Sequence, residues 1–307
     1  MGRADVYPQP QAPDPVLPSA AVLELARRHV SANGVTGVDE SGGEARVYVV
    51  DHDVLIKTQR PHRVRPRTSL AKEAYLLDAL AGTLHPYLPT LLGYGRIDTD
   101  HGEVEYLCLS RVPGAPAGRT PLAGRARSTL MAELAVLLRR LHSTRIDDDR
   151  VPRDPDWAAL RRRLAFDFED AADAMPRRPS AWPVPLTMRE LRRRALATLP
   201  STGPWQPALI HANPGPPHVF VEDQRLSALI DFGDSYVGHP ALDLHRWPDP
   251  ADRVRLHDRY RDEWPAGDSF DRVWSVAMIL ADVKEIGRDS ARARTAAADL
   301  VRRVDQL

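Results

Sequence analysis

The sequence predicts an α+β protein in which a β-rich first third precedes a mainly helical remainder. Short runs rich in β-branched residues, separated by polar or glycine-containing turns, occur between residues 46 and 109. Leucine stripes at helical spacing dominate from about residue 130 onward. The segment Pro113-Gly114-Ala115-Pro116 breaks the chain between these two regimes.

Composition places the chain among globular proteins and excludes several functions. Its 307 residues suit one large or two modest domains. The 42 basic residues balance 42 acidic ones, so no global field favours nucleic acid or an anionic membrane as a partner. No apolar run approaches the ~20 residues of a membrane span. The single cysteine, Cys108, excludes a disulfide framework and is expected to be a buried apolar residue.

The first 18 residues carry five prolines and few large apolar groups, which predicts a disordered leader. This segment has no basic-then-apolar signal peptide. A cytoplasmic location is therefore the default expectation.

Each element follows from a local pattern. In the first third, two β-rich runs flank the polar triplet Asp51-His52-Asp53, which predicts a hairpin, and apolar residues at helical spacing predict a helix over 69–81. A further helix is expected over 19–30 and a further strand over 104–109. In the remainder, the patterns predict helices over 130–142, 156–175 and 187–199, a compact β segment over 209–230, and helices from about 253 onward.

The stretch from Leu209 to Leu244 carries the most chemical information. It contains His211-x-Asn213-x4-His218, followed after a predicted hairpin by Asp231-Phe232-Gly233. Phosphoryl transfer needs a residue that orients the acceptor hydroxyl and ligands for the metal that bridges the nucleotide phosphates. The protein-kinase signature supplies these groups as H-R-D-x4-N and then D-F-G. The spacing here matches that signature, with Asn213 in place of its aspartate and His218 in place of its asparagine.

The chain resembles the aminoglycoside phosphotransferase family, which shows H-G-D-x4-N, then I-D-[FW]-G/D-D and G-D-P-x-x-D-L. The corresponding segments here are Ile230-Asp231-Phe232-Gly233-Asp234 and Gly238-His239-Pro240-Ala241-Leu242-Asp243-Leu244. The resemblance covers roughly residues 35–300. It implies a bilobal protein-kinase-like fold, with a small β-rich N-lobe over 19–112 and a larger, mainly helical C-lobe over 113–307.

The resemblance also implies the sites. Nucleotide, ATP or GTP, is expected at the turn Gly42-Gly43, at Lys57 with its ion-pair partner Glu73, and at the backbone of Ser110 and Val112. Mg²⁺ is expected on Asp231 together with His218. His211 and Asp243 are expected to brace the catalytic loop. Acceptor contacts are expected from Asp234, Asp167 and Asp170, although acids in such helices and turns also serve as solvated or bracing groups.

Asn213 occupies the position where the family has its catalytic aspartate. An amide oxygen accepts a hydrogen bond from a hydroxyl but cannot take its proton. General-base assistance contributes ~10²–10⁴-fold, so transfer should be severely impaired. Three accounts of Asn213 stay open: a substitution made to trap substrate, a natural enzyme that uses another base or its substrate, and a natural pseudoenzyme.

His218 is a second departure, because hard cations such as Mg²⁺ prefer oxygen ligands to imidazole. Some macrolide- and aminoglycoside-modifying branches resemble this chain in having histidine there. The histidines His211, His218, His239 and His245 also raise a metal-hydrolase hypothesis. No H-E-x-x-H pattern supports it.

Only three of the basic residues are lysines. Lys57 stands at the position that the resemblance assigns to phosphate binding, where the compact point charge of a lysine suits a phosphate oxygen. Lys72 is expected to be solvated, and Lys284 receives no role.

The sequence thus predicts an antibiotic-type O-phosphotransferase scaffold acting on a hydroxylated small molecule, such as an antibiotic, a sugar or a nucleoside. The alternative is an inactive kinase-like protein that binds nucleotide or metabolite without transfer.

Overall fold

The computed structural model describes residues 7–100, 102–175, 182–264, 267–288 and 291–307. The chain divides into two compact units. Unit 1 comprises Met1–Thr120 and His218–Ser235, and unit 2 comprises Pro121–Pro217 and Tyr236–Leu307. The late segment that carries Asp231 therefore belongs to the same unit as Lys57.

A five-stranded antiparallel sheet forms the centre of unit 1. Its spatial order is β1-β2-β3-β5-β4, and its strands are β1 (Val35–Asp39), β2 (Ala45–Val50), β3 (Val54–Gln59), β4 (Leu91–Thr99) and β5 (Gly102–Ser110). The predicted hairpin is confirmed as β2 and β3, with Val47 opposite Lys57. The predicted strand over 104–109 is confirmed within β5, where Cys108 is fully buried as expected.

Two helices pack on this sheet, α1 (Ser19–Arg27) and α2 (Leu70–Leu84). The predicted helix over 69–81 is confirmed as α2, which begins after Ser69 because the side chain of that residue caps the backbone N–H of Lys72 at 3.3 Å. Helix α2 extends one turn further than predicted. Its buried face places Glu73 toward the sheet together with leucine side chains, which are Leu70, Leu76, Leu77, Leu80 and Leu84.

The leader joins this core within the described residues. Leu17 is buried, and its backbone N–H donates to the Tyr48 hydroxyl at 2.9 Å. The Asp14 carboxylate pairs with Arg46 at 3.0 Å and with Arg60 at 2.7 Å. Residues 1–6 of the predicted disordered leader lie outside the described residues.

A three-stranded sheet completes unit 1. Strands β8 (Val219–Glu222) and β9 (Arg225–Leu229) form a hairpin, and β6 (Ala115–Pro116) pairs with β8. Asp223 and Gln224 turn this hairpin with φ of 50° and 63°, the left-handed values that tight hairpin turns require. The hairpin leads into a 3₁₀ turn, Phe232–Asp234, which packs on α2.

Unit 2 is mainly helical. Its helices are α3 (Gly124–Ser143), α4 (Trp157–Asp173), α5 (Met188–Ala197), α6 (Pro250–Arg261), α7 (Asp268–Gly287) and α8 (Ala293–Val304). Helix α3 buries the predicted leucine stripe, and a two-stranded ribbon of β7 (Ala208–Ile210) and β10 (Tyr236–Gly238) lies beside it. The predicted α+β class, β-rich first and helical later, is therefore confirmed. Among the described residues, no helix combines the length and apolarity needed to cross a bilayer.

Candidate active site

Lys57 joins two acidic residues from distant parts of unit 1. Its Nζ donates to Glu73 Oε2 on α2 and to Asp231 Oδ1 after β9, each at 2.7 Å. The Glu73 side chain is almost fully buried, whereas that of Asp231 is 41% exposed. Burial disfavours the charge on Lys57, but the two carboxylates outweigh burial and raise the pKa of Lys57 above its ordinary value. The lysine is therefore a fixed cation beside one accessible carboxylate.

The backbone of Asp231 is left-handed, with φ of 68° and ψ of 70°. Aspartate tolerates this conformation better than most residues, and such geometry recurs at functional sites. The preceding Ile230 N–H donates to the His218 carbonyl at 3.0 Å, and the following Phe232 is fully buried. The hairpin and this buried ring fix the Asp231 carboxylate from both sides.

Of the two predicted Mg²⁺ ligands, Asp231 fits the metal and His218 does not. Mg²⁺ is usually held by one or two carboxylates together with waters and substrate phosphates, and the exposed Asp231 carboxylate can serve in that way. His218 Nε2 lies 3.4 Å from Asp231 Oδ2, so the imidazole faces the carboxylate, and imidazole is a poor ligand for a hard cation. Within the described residues, no group of three or more His, Cys, Asp or Glu side chains forms a metal cage.

The predicted phosphate turn connects β1 to β2. A Cβ on Gly42 would lie 2.6 Å from the Ala45 carbonyl oxygen, so this position requires glycine. The Gly42 carbonyl accepts a bond from Arg60 at 3.2 Å, and Gly43 faces open space.

The end of β5 offers the backbone predicted to meet the base. The Ser110 N–H already donates to the Thr90 carbonyl at 2.9 Å, and the Ser110 hydroxyl accepts from the Thr90 N–H at 2.7 Å. Val112, in contrast, makes no backbone hydrogen bond to any residue that the structure describes. The N–H and C=O of Val112 are therefore the groups open to a ligand here.

Asp234 is engaged by protein side chains. Arg65 donates to its two carboxylate oxygens at 2.8 and 2.9 Å, and the Thr68 hydroxyl donates at 3.1 Å. Arg65 also pairs with Glu44, which directly follows the Gly42-Gly43 turn. Arg65 thus ties the phosphate turn to the segment after Asp231. Sequence analysis missed Arg65, since nothing in its neighbourhood distinguishes it from the other arginines.

The prediction that Lys72 is solvated is wrong, because this residue is only 2% exposed. Its Nζ donates to the Ser235 carbonyl at 2.8 Å and also to the Arg67 carbonyl. Burial lowers the pKa of Lys72 to about 8. Lys72 therefore anchors the segment that carries Asp231 and Asp234 onto α2. The scarcity of lysine was the one sequence signal that could have singled it out.

In unit 2, the loop after β7 carries His211, Ala212 and Asn213. Asp243 accepts hydrogen bonds from the backbone N–H groups of His211 and Ala212 at 2.7 and 2.8 Å, and His142 Nε2 lies 3.0 Å from Asp243. His211 is fully buried, and its Nδ1 accepts from the Asn213 N–H at 3.3 Å. One buried carboxylate and one buried imidazole thus hold the loop on which Asn213 stands.

The two predicted acceptor-binding acids of α4 face a cation. Asp167 Oδ1 lies 4.0 Å from Lys284 Nζ on α7, and both Asp167 and Asp170 act to raise the pKa of Lys284 against burial. The two acids therefore lie beside a positive charge and do not form an isolated negative patch.

Comparison with known families decides the family of this chain. The model described as "Phosphotransferase enzyme family" matches residues 37–298. The chain belongs to that family. No protein with a curated function matches the chain.

Solved structures of phosphotransferases share the fold. The apoenzyme of macrolide 2'-phosphotransferase MphH from Brachybacterium faecium is 22% identical, with a TM-score of 0.58 over 91% of this chain and 97% of that one. The streptomycin–ATP–APH(2'')-IIa ternary complex is 16% identical, with a TM-score of 0.60 over 93% and 96%. The GDP complex of aminoglycoside 2'-phosphotransferase-IIIa is 16% identical, with a TM-score of 0.62 over 94% and 96%. At these identities the similarity shows the kinase-like fold, which confirms the predicted fold class.

Proposed function

We propose that this phosphotransferase-family chain is a small-molecule O-phosphotransferase that moves the γ-phosphoryl group of a nucleotide to a substrate hydroxyl. The observation that carries the proposal is Lys57, held 2.7 Å from both Glu73 and Asp231. Phosphoryl transfer depends mainly on positioning and charge neutralisation, and such a fixed cation beside an accessible carboxylate suits it.

Unit 1 binds the nucleotide in this proposal. Lys57 neutralises phosphate oxygens while the buried Glu73 fixes its position. The Gly42-Gly43 turn covers the phosphates, and the Ala45 carbonyl leaves no room for a side chain at position 42 of this turn. The backbone of Ser110 and Val112 reads the base, with Val112 offering both its N–H and its C=O. Backbone recognition admits either ATP or GTP. Similar structures were solved with ATP and with GDP, which supports a nucleotide donor.

Asp231 is the residue that would hold Mg²⁺. The metal supplies neutralisation of charge that develops on the phosphoryl oxygens. We assign His218 a different task from the one predicted, because its Nε2 faces Asp231 Oδ2 at 3.4 Å. There the imidazole orients the carboxylate.

Unit 2 receives the acceptor, and Asn213 orients the acceptor hydroxyl. Its side-chain oxygen accepts a hydrogen bond from that hydroxyl, but the amide takes no proton. Loss of a general base costs ~10²–10⁴-fold, so turnover of this chain is slow. The acceptor is a hydroxylated small molecule. The macrolide 2'-phosphotransferase and the streptomycin-bound APH(2'')-IIa of the same fold support an antibiotic-type acceptor.

Asn213 itself favours a second candidate, an inactive kinase-like protein that binds nucleotide or metabolite. In that case the buried bracing by His211 and Asp243 preserves a binding loop without transfer.

A transfer assay with both nucleotides and a panel of hydroxylated antibiotics tests these alternatives. The first proposal expects Asn213→Asp to raise turnover by about 10²-fold or more, and it expects Asp231→Ala to abolish turnover. Asp98→Ala, an exposed change in β4, is the matched control and should leave turnover unchanged. Equal rates in all variants would contradict the proposal. Nucleotide binding by calorimetry without transfer, even in Asn213→Asp, would establish the inactive binder.

A further inference from the structure

Arg246 lies against the loop that carries Asn213. A Cβ on Gly215 would lie 3.1 Å from the Arg246 carbonyl oxygen and 3.7 Å from its Cβ. The Gly215 N–H in turn donates to the Asn213 carbonyl at 2.8 Å. The side chain of Arg246 therefore begins next to this loop, within unit 2.

The guanidinium of Arg246 has no partner among the residues that the structure describes. It pairs with no carboxylate, and its Nε is buried without a hydrogen-bond acceptor. Other buried or half-buried arginines of unit 2 are compensated, such as Arg163 by Asp154 at 2.8 Å and Arg127 by the buried Asp252. Arg246 is half-buried, and a partly buried cation without a counter-charge, whose Nε lies out of reach of water, is costly. Its persistence beside the loop indicates that a ligand supplies the anion.

A second cation, Lys284 of α7, shares this region. Its nearest described carboxylate is Asp167, at the 4.0 Å limit of an ion pair. Burial lowers the pKa of Lys284, Asp167 opposes that change, and the positive charge of Arg246 adds to it. Burial, and after it the same two cations, hold the pKa of His245 below its ordinary value, and His245 Nδ1 is buried without a partner in the described chain. Arg246 and Arg288 thus act on Lys284 as positive charges and Asp167 and Asp170 as negative ones, whereas no carboxylate of the described chain pairs with Arg246.

We infer that Arg246 and Lys284 form a subsite for an anionic group, a carboxylate or a phosphate, carried by the hydroxylated acceptor. This inference rests on the proposed transfer function and names its substrate class. The planar guanidinium donates to two oxygens of such a group, and the ammonium adds a point charge. The bound anion also screens the repulsion between the two cations. A polycationic acceptor, by contrast, would meet like charges here.

Calorimetry on the full chain tests the subsite without needing turnover. The probes are glucose, glucuronate and glucose 6-phosphate, which share a hydroxylated ring and differ in charge. At least one anionic probe should bind about tenfold more tightly than glucose or better, the factor expected for one charge-assisted hydrogen bond. Whether the carboxylate or the phosphate is preferred identifies the anion.

Arg246→Gln and Lys284→Gln should each reduce that preference, with Arg246→Gln removing most of it. Arg193→Gln is the matched control, because Arg193 is exposed on α5 and pairs with Glu190. Unchanged circular dichroism establishes that the variants fold. No preference for either anionic probe, or a preference that survives Arg246→Gln, overturns the inference.

A separate calorimetric titration with ATP, on the wild type and Lys57→Met, tests the nucleotide site. If ATP does not bind while Arg246 still governs the anion preference, the proposed function fails and the subsite stands. If ATP binds through Lys57 while the anion preference is absent, the subsite fails and the proposed function stands.

Discussion

Lys57 Nζ lies 2.7 Å from Asp231 Oδ1 in unit 1, although 174 positions separate the two residues in the chain. The residue proposed to bind phosphate thus forms an ion pair with the residue proposed to bind Mg²⁺. Both ligands must compete with this ion pair. We therefore expect Mg²⁺ and nucleotide to bind together more favourably than either binds alone.

Asp231→Asn removes the competitor for Lys57 and the charged ligand for Mg²⁺. Metal-free ATP should bind this variant as well as or better than the wild type, since Lys57 then turns more readily to phosphate. The gain in affinity on adding Mg²⁺ should fall about tenfold or more, because a charged oxygen ligand is lost. Calorimetry with and without Mg²⁺ measures both effects. An equal gain from Mg²⁺ in both proteins would refute this role for Asp231.

Lys57→Met leaves the buried Glu73 without its cation. Removing one partner of a buried ion pair costs about 3–5 kcal/mol in the free energy of unfolding, whereas replacing both partners by apolar residues is often nearly neutral. The double variant Lys57→Met/Glu73→Met should therefore recover most of that loss. Urea unfolding of the single and double variants measures it. A double variant no more stable than Lys57→Met would show that the pair does not carry the effect.

Ala212→Gly should stabilise unit 2. Ala212 has a φ of 71°, a left-handed value that costs an alanine about 1–2 kcal/mol and a glycine almost nothing. The extra freedom of glycine in the unfolded chain offsets part of this gain, so the net increase in the free energy of unfolding should be about 0.5–1 kcal/mol.

Ala208→Gly in the neighbouring strand β7 is the control for Ala212→Gly. It should destabilise by about 0.5–1 kcal/mol, because the backbone there is an ordinary strand. Urea unfolding compares the two variants with the wild type. The strain argument is wrong if both changes shift stability in the same direction.

Asp282 should make stability depend on pH. Burial raises its pKa to about 7, with Asp299 adding to the rise and Arg253 opposing it. The folded protein therefore holds a proton on Asp282 that the unfolded chain releases near pH 4. Because the folded state binds more protons between these values, this contribution to stability is lost as the pH rises from about 4 to 7.

Asp282→Asn cannot titrate and serves as the reference. The free energy of unfolding of the wild type minus that of Asp282→Asn should fall by up to about 4 kcal/mol across this pH window. Urea unfolding at several pH values measures the difference. Parallel pH profiles of the two proteins would exclude a titrating Asp282.

Local sequence patterns specify the order of the elements and much of unit 1. The β2–β3 hairpin and helix α2 follow from patterns that span a few residues, so the sequence alone places Lys57 and Glu73 on neighbouring elements. The ordered motifs also predicted the family, which the match over residues 37–298 confirms.

Which charges meet depends on the packing of distant segments. Lys72 is buried because its amine reaches the carbonyl of Ser235, 163 positions later, and Asp234 is engaged because Arg65 reaches it from 169 positions away. Arg246, by contrast, meets no carboxylate in the described chain. Local periodicity carries no information about such pairings, since they depend on how remote parts of the chain come together. For this reason the sequence named the residues of the candidate site, whereas the fold determined their partners and their charges.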